Sequence, residues 1–304
     1  MNTLTVLIKR NVKLFFKDKG MFFTSLITPV ILLVLYMSFL GNTFESSFIS
    51  MLPEGLEKSE ELIQGCVGGQ LISSILAVSC ITVAFCSNML MVQDKANSCI
   101  KDLTISPVKK TTLALSYYFA TLISTFIICL TALCMCLVYV WFNGWYMSVS
   151  DVLLLLVDIF LIVMMGTAIS SIINVFLSTQ GQISAVGSIV SSVYGFVCGA
   201  YMPISQLSSG LQKVIKFFPG TYATSLVRNH SMRGVFAEME RLNYPQEIIK
   251  AFEDMTDCNL YFDGKLVGQQ TMFVILSTTV VVAVGIYVAL NLLSLKRKVA
   301  TRHE

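Results

Sequence analysis

The 304 residues are 55% hydrophobic and only 13% charged, about half the charged share of an ordinary soluble domain, and the mean hydropathy is +0.74. Those values exclude an ordinary water-soluble fold. The net charge of +3 says little in total, because the division of lysine and arginine between the two sides is what orients a membrane chain.

In chain order, residues 4–19 place Leu4, Leu7, Ile8, Val12 and Phe15 on one helical stripe, with Lys9, Arg10, Lys13 and Lys17 crowding the opposite side. This pattern predicts an amphipathic helix over 1–20 lying on the membrane surface. A plain basic flank orienting the first span reads equally well, and both readings are cytoplasmic. The first apolar run begins after about 20 residues, exceeds a signal-peptide core and lacks a small-residue cleavage site, so it is expected to be retained.

Six apolar runs are long enough to span: 21–41, 67–92, 112–141, 152–177, 183–202 and 271–295. Pro29 falls inside the first, where a kink is tolerated if neighbours satisfy the freed carbonyl. Basic residues collect in three places: Lys9 to Lys19; Lys95, Lys101, Lys109 and Lys110; and Lys296, Arg297, Lys298 and Arg302. The positive-inside rule makes all three cytoplasmic. The first connection carries Glu45, Glu54, Glu57, Glu60 and Glu61 against Lys58, and 142–150 holds no positive charge, so both are expected outside. Six spans then leave both termini in the cytoplasm. The long stretch 203–270 is mixed in sign and is placed outside by parity. Within it, Leu207, Leu211, Val214, Ile215 and Phe218 repeat at helical spacing between Pro203 and Pro219, predicting a short helix at the outer interface. The rest reads as a small helical cap. The expected fold is therefore a single all-α transmembrane domain over 1–304, with no internal repeat.

Of the nine cysteines, Cys80, Cys86, Cys129, Cys134, Cys136 and Cys198 sit in apolar runs, where cysteine acts as a small hydrophobe. Cys66 and Cys258 lie at or outside the edges of the spans, where pairing is open but not fixed by sequence. No G-x-x-x-x-G-K-[ST] stretch is present, so the chain has no phosphate-cradling loop with which to hydrolyse ATP. No metal-ligand spacing appears. His230 and His303 are read as solvated surface residues. Asp158 alone among the charged side chains lies clearly within a predicted span, on the order of 10 Å from its outer boundary. An acid at that depth has to face protein or water, and serves either the translocation path or a structural partner.

The most informative polar segment is 93–110, QDKANSCIKDLTISPVKK. Ile100 and Leu103 give an apolar edge to a charged helix that stops before Pro107, as pre-proline sterics favour. It reads either as a docking helix or as a charged turn.

With these elements in order, the chain resembles the type-2 permease subunits of ATP-binding-cassette (ABC) exporters over nearly its whole length. The resemblance rests on the basic amphipathic helix, the acidic first connection, a cytoplasmic helix ending at Ser106, Pro107 and Val108, the step from Gly199 to Pro203, and Pro219 to Tyr222 leading on to Arg228. The family often has Glu where Asp94 stands and Gly-Thr where this chain has Ser98 and Cys99. The resemblance implies that 93–110 is the coupling helix, with Asp94, Lys95, Ile100, Lys101, Asp102, Leu103 and Pro107 meeting a separate ATPase subunit. It also implies a second permease chain, identical or paralogous, in the cell membrane, and ATP and Mg on the partner rather than on this chain. The chain is then no enzyme, binds no nucleic acid, and exports by alternating access. Its sparsely charged spans favour an amphipathic or lipid-like cargo, such as a drug or antimicrobial peptide. A secondary transporter or channel, and a membrane sensor or immunity protein that binds without transport, are the alternatives.

Overall fold

The computed structural model describes residues 2–52, 59–105 and 108–300, with side chains through 292 apart from those of Lys101 and Thr104. Glu54, Glu57, Lys58, Ser106, Pro107 and Arg302, all used in the sequence reading, lie outside the described residues.

Helix α1 (Thr3–Lys17) buries Leu7, Asn11 and Phe15, one residue per turn along a single stripe. The stripe packs on a later span rather than lying free on the membrane surface. Asp18 ends this helix and starts the next, its carboxylate accepting from the Met21 backbone N–H at 3.1 Å. Helix α2 (Lys19–Leu35) contains the buried Pro29 and passes through a π turn at Tyr36–Leu40 into α3 (Gly41–Met51). The first apolar element is thus longer than 21–41, and the polar residues after Gly41 continue the helix instead of forming a loop.

Helix α4 (Glu60–Ser87) is the pillar of the bundle, buried along almost its entire length. An Asn88 break leads into α5 (Met89–Ala96) and α6 (Cys99–Ile105). Around the pillar stand α7 (Lys110–Asn143), α8 (Val149–Phe176) and α9 (Gln180–Val197). Small residues on α4 permit the close approach that membrane helices use in place of a hydrophobic driving force. At Gly69, an added Cβ would stand 2.4 Å from Met232 Cγ.

Among the described residues, five helical stretches are long and apolar enough to cross a membrane: Lys19–Met51, Glu60–Ala96, Lys110–Asn143, Val149–Phe176 and Gln269–Leu292. The sixth expected span is not among them. The run 183–202 yields α9, whose 18 residues reach about 27 Å and are diluted by Gln180, Gln182, Ser184, Ser188, Ser191 and Ser192.

The stretch 203–270 also departs from expectation. After a 3-10 turn at Ile204–Gln206 and α10 (Ser209–Ile215) comes α11 (Pro219–Arg241), a polar helix that packs against the spans instead of capping them. Helix α12 (Gln246–Met255) and an antiparallel hairpin of β1 (Leu260–Phe262) and β2 (Lys265–Val267) follow, so the fold is helical but for six strand residues. Helix α13 (Gln269–Ala300) closes the bundle against α8 and α11. Cys66 and Cys258 are both buried free thiols, so the pairing left open by the sequence is not made.

Three basic side chains hold α11 in place. Arg228 is 1% exposed and donates from Nε to Ser73 Oγ (3.1 Å), from Nη2 to the Gly199 carbonyl (2.9 Å), and from Nη1 to the Thr256 carbonyl and to Asp257 (3.3 Å). His230 Nδ1 lies 2.5 Å from Asp158 Oδ2, and Arg233 pairs with Asp151. The expectation of a solvated His230 is thereby corrected: it is 8% exposed, in the helix that enters the bundle, with Asp158 as its hydrogen-bond partner.

Burial pushes the Asp257 carboxyl up to about 6, against the pull of Arg228 and the Ile204 N–H. Replacing Arg228 with alanine strands that carboxyl and is expected to cost about 3–5 kcal/mol, read as a lowered midpoint in thermal unfolding of the detergent-solubilised protein. Because the Asp257 carboxyl titrates near 6 when folded and near 3.8 when not, its contribution to stability is complete below the lower value and is lost as pH rises through the upper one. Asp257→Asn should flatten that segment of the stability profile in melts taken across the same pH range.

Candidate functional site: the α5–α6 hairpin and the cavity beside its root

The hairpin formed by α5 and α6 leaves the bundle at Asn88. The Asn88 amide donates to Ser170 Oγ (3.0 Å) and Ser171 Oγ (2.9 Å), and its carbonyl accepts from Asn174 Nδ2 (3.1 Å). One residue thus fastens the root of the hairpin to α8. Asp94 is buried and accepts from Arg10 Nη1 at 2.9 Å and from the Tyr117 hydroxyl at 2.5 Å, joining α5 to α1 and α7. Lys95 turns the other way and caps the end of α8, donating to the carbonyls of Asn174 (2.6 Å), Val175 (3.2 Å) and Leu177 (3.2 Å). A cation suits that end, where unpaired carbonyls and the helix dipole concentrate negative charge.

The residues singled out in 93–110 therefore fall into two groups. Asp94 and Lys95 face inward and anchor the hairpin. Ile100 and Leu103 are half-buried, with Leu103 against the cluster of Leu7, Phe15, Leu90, Leu113 and Tyr117. Asp102 is exposed, as is Ile105, at 83%. The Lys101 side chain and Pro107 lie outside the described residues. Ile105 escaped the sequence reading; its signal was an isoleucine at a polar helix end, just before Ser106 and Pro107.

The turn between the two helices places Ser98 at φ 62, a left-handed conformation that a side chain disfavours and glycine adopts freely. This is where the resembling family often carries glycine.

Next to the hairpin root lies a cavity of about 650 Å³, within the size range of sites for drug-sized molecules. Thr24 and Thr28 of α2 form one wall, Ser184 and Ser188 of α9 the facing wall, Phe85 and Met89 the back, and Asp18 is part of the lining. Hydroxyls alternate with apolar surface, and Asp18 is the one charged residue of the lining. Asp158 lies elsewhere, tied to His230 on the other side of α4, its Oδ1 without a hydrogen-bond partner in the described structure. The structure thus does not bring Asp158 into this cavity.

Ser98→Gly should relieve the turn by about 1 kcal/mol. Amide exchange across 96–105 is expected to slow about fivefold, with Ser98→Val speeding it, by hydrogen-exchange mass spectrometry.

A comparison with curated proteins returns no match. The family model described as ABC-2 type transporter matches residues 2–230, about three quarters of the chain, including α1, the α5–α6 hairpin and the start of α11. That domain is the membrane permease part and lacks the ATPase, and permeases of this kind generally pair with a separate ABC ATPase. The chain belongs to the ABC-2 type transporter family, as a multi-pass membrane permease.

Proposed function

We propose that the α5–α6 hairpin is the contact through which a separate ATPase moves this permease, and that the cavity between α2 and α9 admits the exported molecule. The observation that carries the reading is the division of labour within the hairpin. Its root is clamped by Asn88, Asp94 and Lys95 to α1, α7 and α8, while Asp102 and Ile105 stand exposed at its tip. A lever needs both a stiff mounting and a free contact. For the tip to transmit nucleotide state, it has to bind two states of its partner with different affinity. Ile100, Lys101, Leu103 and Pro107 complete this segment.

On this reading the hairpin end faces the cytoplasm, in keeping with Lys9, Lys13, Lys17, Lys109 and Lys110 at the same end, and α9 crosses as a short sixth span, so that both termini are cytoplasmic. Two permease chains, identical or paralogous, complete the pathway. Helix α9 supports this, because only Ile183 and Gly195 of its residues are buried within the single chain. A mixed hydroxyl and apolar lining suits an amphipathic or lipid-like cargo, a drug or antimicrobial peptide among them, better than a highly charged solute. Asp158 serves as the structural partner of His230.

Ile105→Glu removes no core contact, so the variant is expected to insert normally yet lose at least about tenfold in ATP-driven export, the effect of about 1.4 kcal/mol at the contact. ATP-dependent uptake into inside-out vesicles measures this, and wild-type uptake by the variant would sink the proposed contact. Gly187 borders the cavity with open space around its Cα. Gly187→Trp should therefore block transport while leaving ATPase association unchanged in pull-down; unimpaired transport would remove the cavity from the path.

A further inference from the structure

The end of the bundle remote from the hairpin holds a second cavity, of about 300 Å³, that the proposed export cycle does not use. Its walls are Glu61, from the first turn of α4, and Trp141, Phe142, Trp145 and Tyr146, from the end of α7 and the connection to α8. The two indoles meet edge to face, with centroids 5.4 Å apart and planes inclined at 62°. They form a corner rather than a stack.

The corner is built onto α4 by close backbone approach. A Cβ on Gly144 would stand 2.9 Å from the Glu61 carbonyl oxygen and 3.1 Å from the Gly65 nitrogen, and a Cβ on Gly65 would stand 2.8 Å from Tyr146 Cδ2. Without side chains at these two positions, the aromatic connection presses directly on the acidic first turn. Glu61 is exposed and has no ion-pair partner among the described residues. Burial pushes the Tyr146 hydroxyl up, and the negative charges of Glu61 and Glu238 push it further, as expected if both carboxylates lie near that ring.

Depth gives the corner its setting. Helix α7 has 34 residues and reaches about 51 Å, well beyond a hydrocarbon core of about 30 Å, so its end stands at headgroup level. Tryptophans there commonly serve as plain anchors. This pair adds a cavity between the rings and an unpaired carboxylate beside it. Indole faces attract weakly hydrated organic cations, and a neighbouring carboxylate supplies the countercharge. Sodium and potassium, held by their hydration shells, gain little from the rings.

We propose that this corner binds an organic ammonium group, such as the charged end of a choline or ethanolamine headgroup, with the cation against the indoles and Glu61 opposite. Trp141 and Trp145 are the two tryptophans of the whole sequence, so indole emission reports this site alone.

The test titrates choline chloride into the full-length protein in phosphatidylglycerol nanodiscs, with sodium chloride at matched ionic strength as control. A saturable emission change with choline and none with sodium is expected, and Glu61→Gln should weaken it about 5- to 10-fold, the usual range for losing one such contact. A second arm distinguishes the source of the ammonium. If the natural occupant is a lipid, nanodiscs of phosphatidylethanolamine or phosphatidylcholine shift the emission before any choline is added and raise the apparent Kd for choline. If it is a soluble compound, emission matches that in phosphatidylglycerol and the choline Kd is unchanged. No saturable response to choline, an equal response to sodium, or an unaltered Kd in Glu61→Gln overturns the proposal.

Discussion

Arg228 is fully buried in the bundle, where a charge is costly, and it is held because each side of its guanidinium meets an acceptor. Ser73 lies on the central pillar, Gly199 at the end of α9, and Thr256 and Asp257 at the end of α12. A single side chain therefore ties three separate parts of the far end to α11. Two turns of the same helix add His230 with Asp158 and Arg233 with Asp151. Helix α11 joins the core through Leu226, Val227, Met232, Val235, Phe236 and Met239, but it carries basic side chains in with them. Those side chains are accommodated because they meet acids and carbonyls oriented by α8 and α12, and for the fully buried Arg228 removing the partners leaves a charge with no alternative solvent.

The opposite end follows the same logic with different residues. The polar side chains of the hairpin root are directed inward, into contacts with α1, α7 and α8, and only the tip is left uncommitted. Arg10 and Tyr117 share the Asp94 carboxylate, so the amphipathic first helix is bonded to the hairpin as well as packed on α7. A displacement of the tip is thus passed to three helices at once instead of being absorbed by bending at the root.

Much of this architecture was legible in the sequence, and the exceptions have identifiable physical causes. Long apolar runs announced α2, α4, α7, α8 and α13, because twenty uncharged residues have few alternatives to a membrane. The continuation of the first span into α3 was hidden: Asn42, Thr43, Glu45, Ser46 and Ser47 look like loop residues, yet no glycine or proline after Gly41 breaks the helix before Pro53. Helix α11 was hidden more deeply, since it shows neither an apolar run nor a helical stripe, and the partners that let its polar residues be buried lie 72 residues or more away on α8 and α4. The same applies to Asp94, whose partner Arg10 is 84 residues away. A carboxylate in a charged hairpin reads as a surface group until the fold supplies its cation. Ser98 was legible in the reverse sense, as a departure from glycine that its positive φ now explains.

Packing within the bundle is uneven, and the unevenness falls where a transporter needs it. Moving α4 would break contacts on every side, because its residues are buried almost throughout and interiors of that density do not deform continuously. Helix α2 shows the other extreme. Phe23, Ile27, Val30, Ile31 and Val34 all lie exposed on it, and hydrocarbon on one face can be exchanged for hydrocarbon elsewhere at little cost. Helix α9 is similarly uncommitted, with two buried residues. The facing walls of the larger cavity, Thr24 and Thr28 on one side and Ser184 and Ser188 on the other, stand on these two loosely held helices. The pillar and its clamped neighbours α1, α5, α7, α8 and α11 form the stiff part. On the proposed reading, a push at the hairpin tip would move the stiff block as a unit, and the dimension that would change most easily is the gap between α2 and α9.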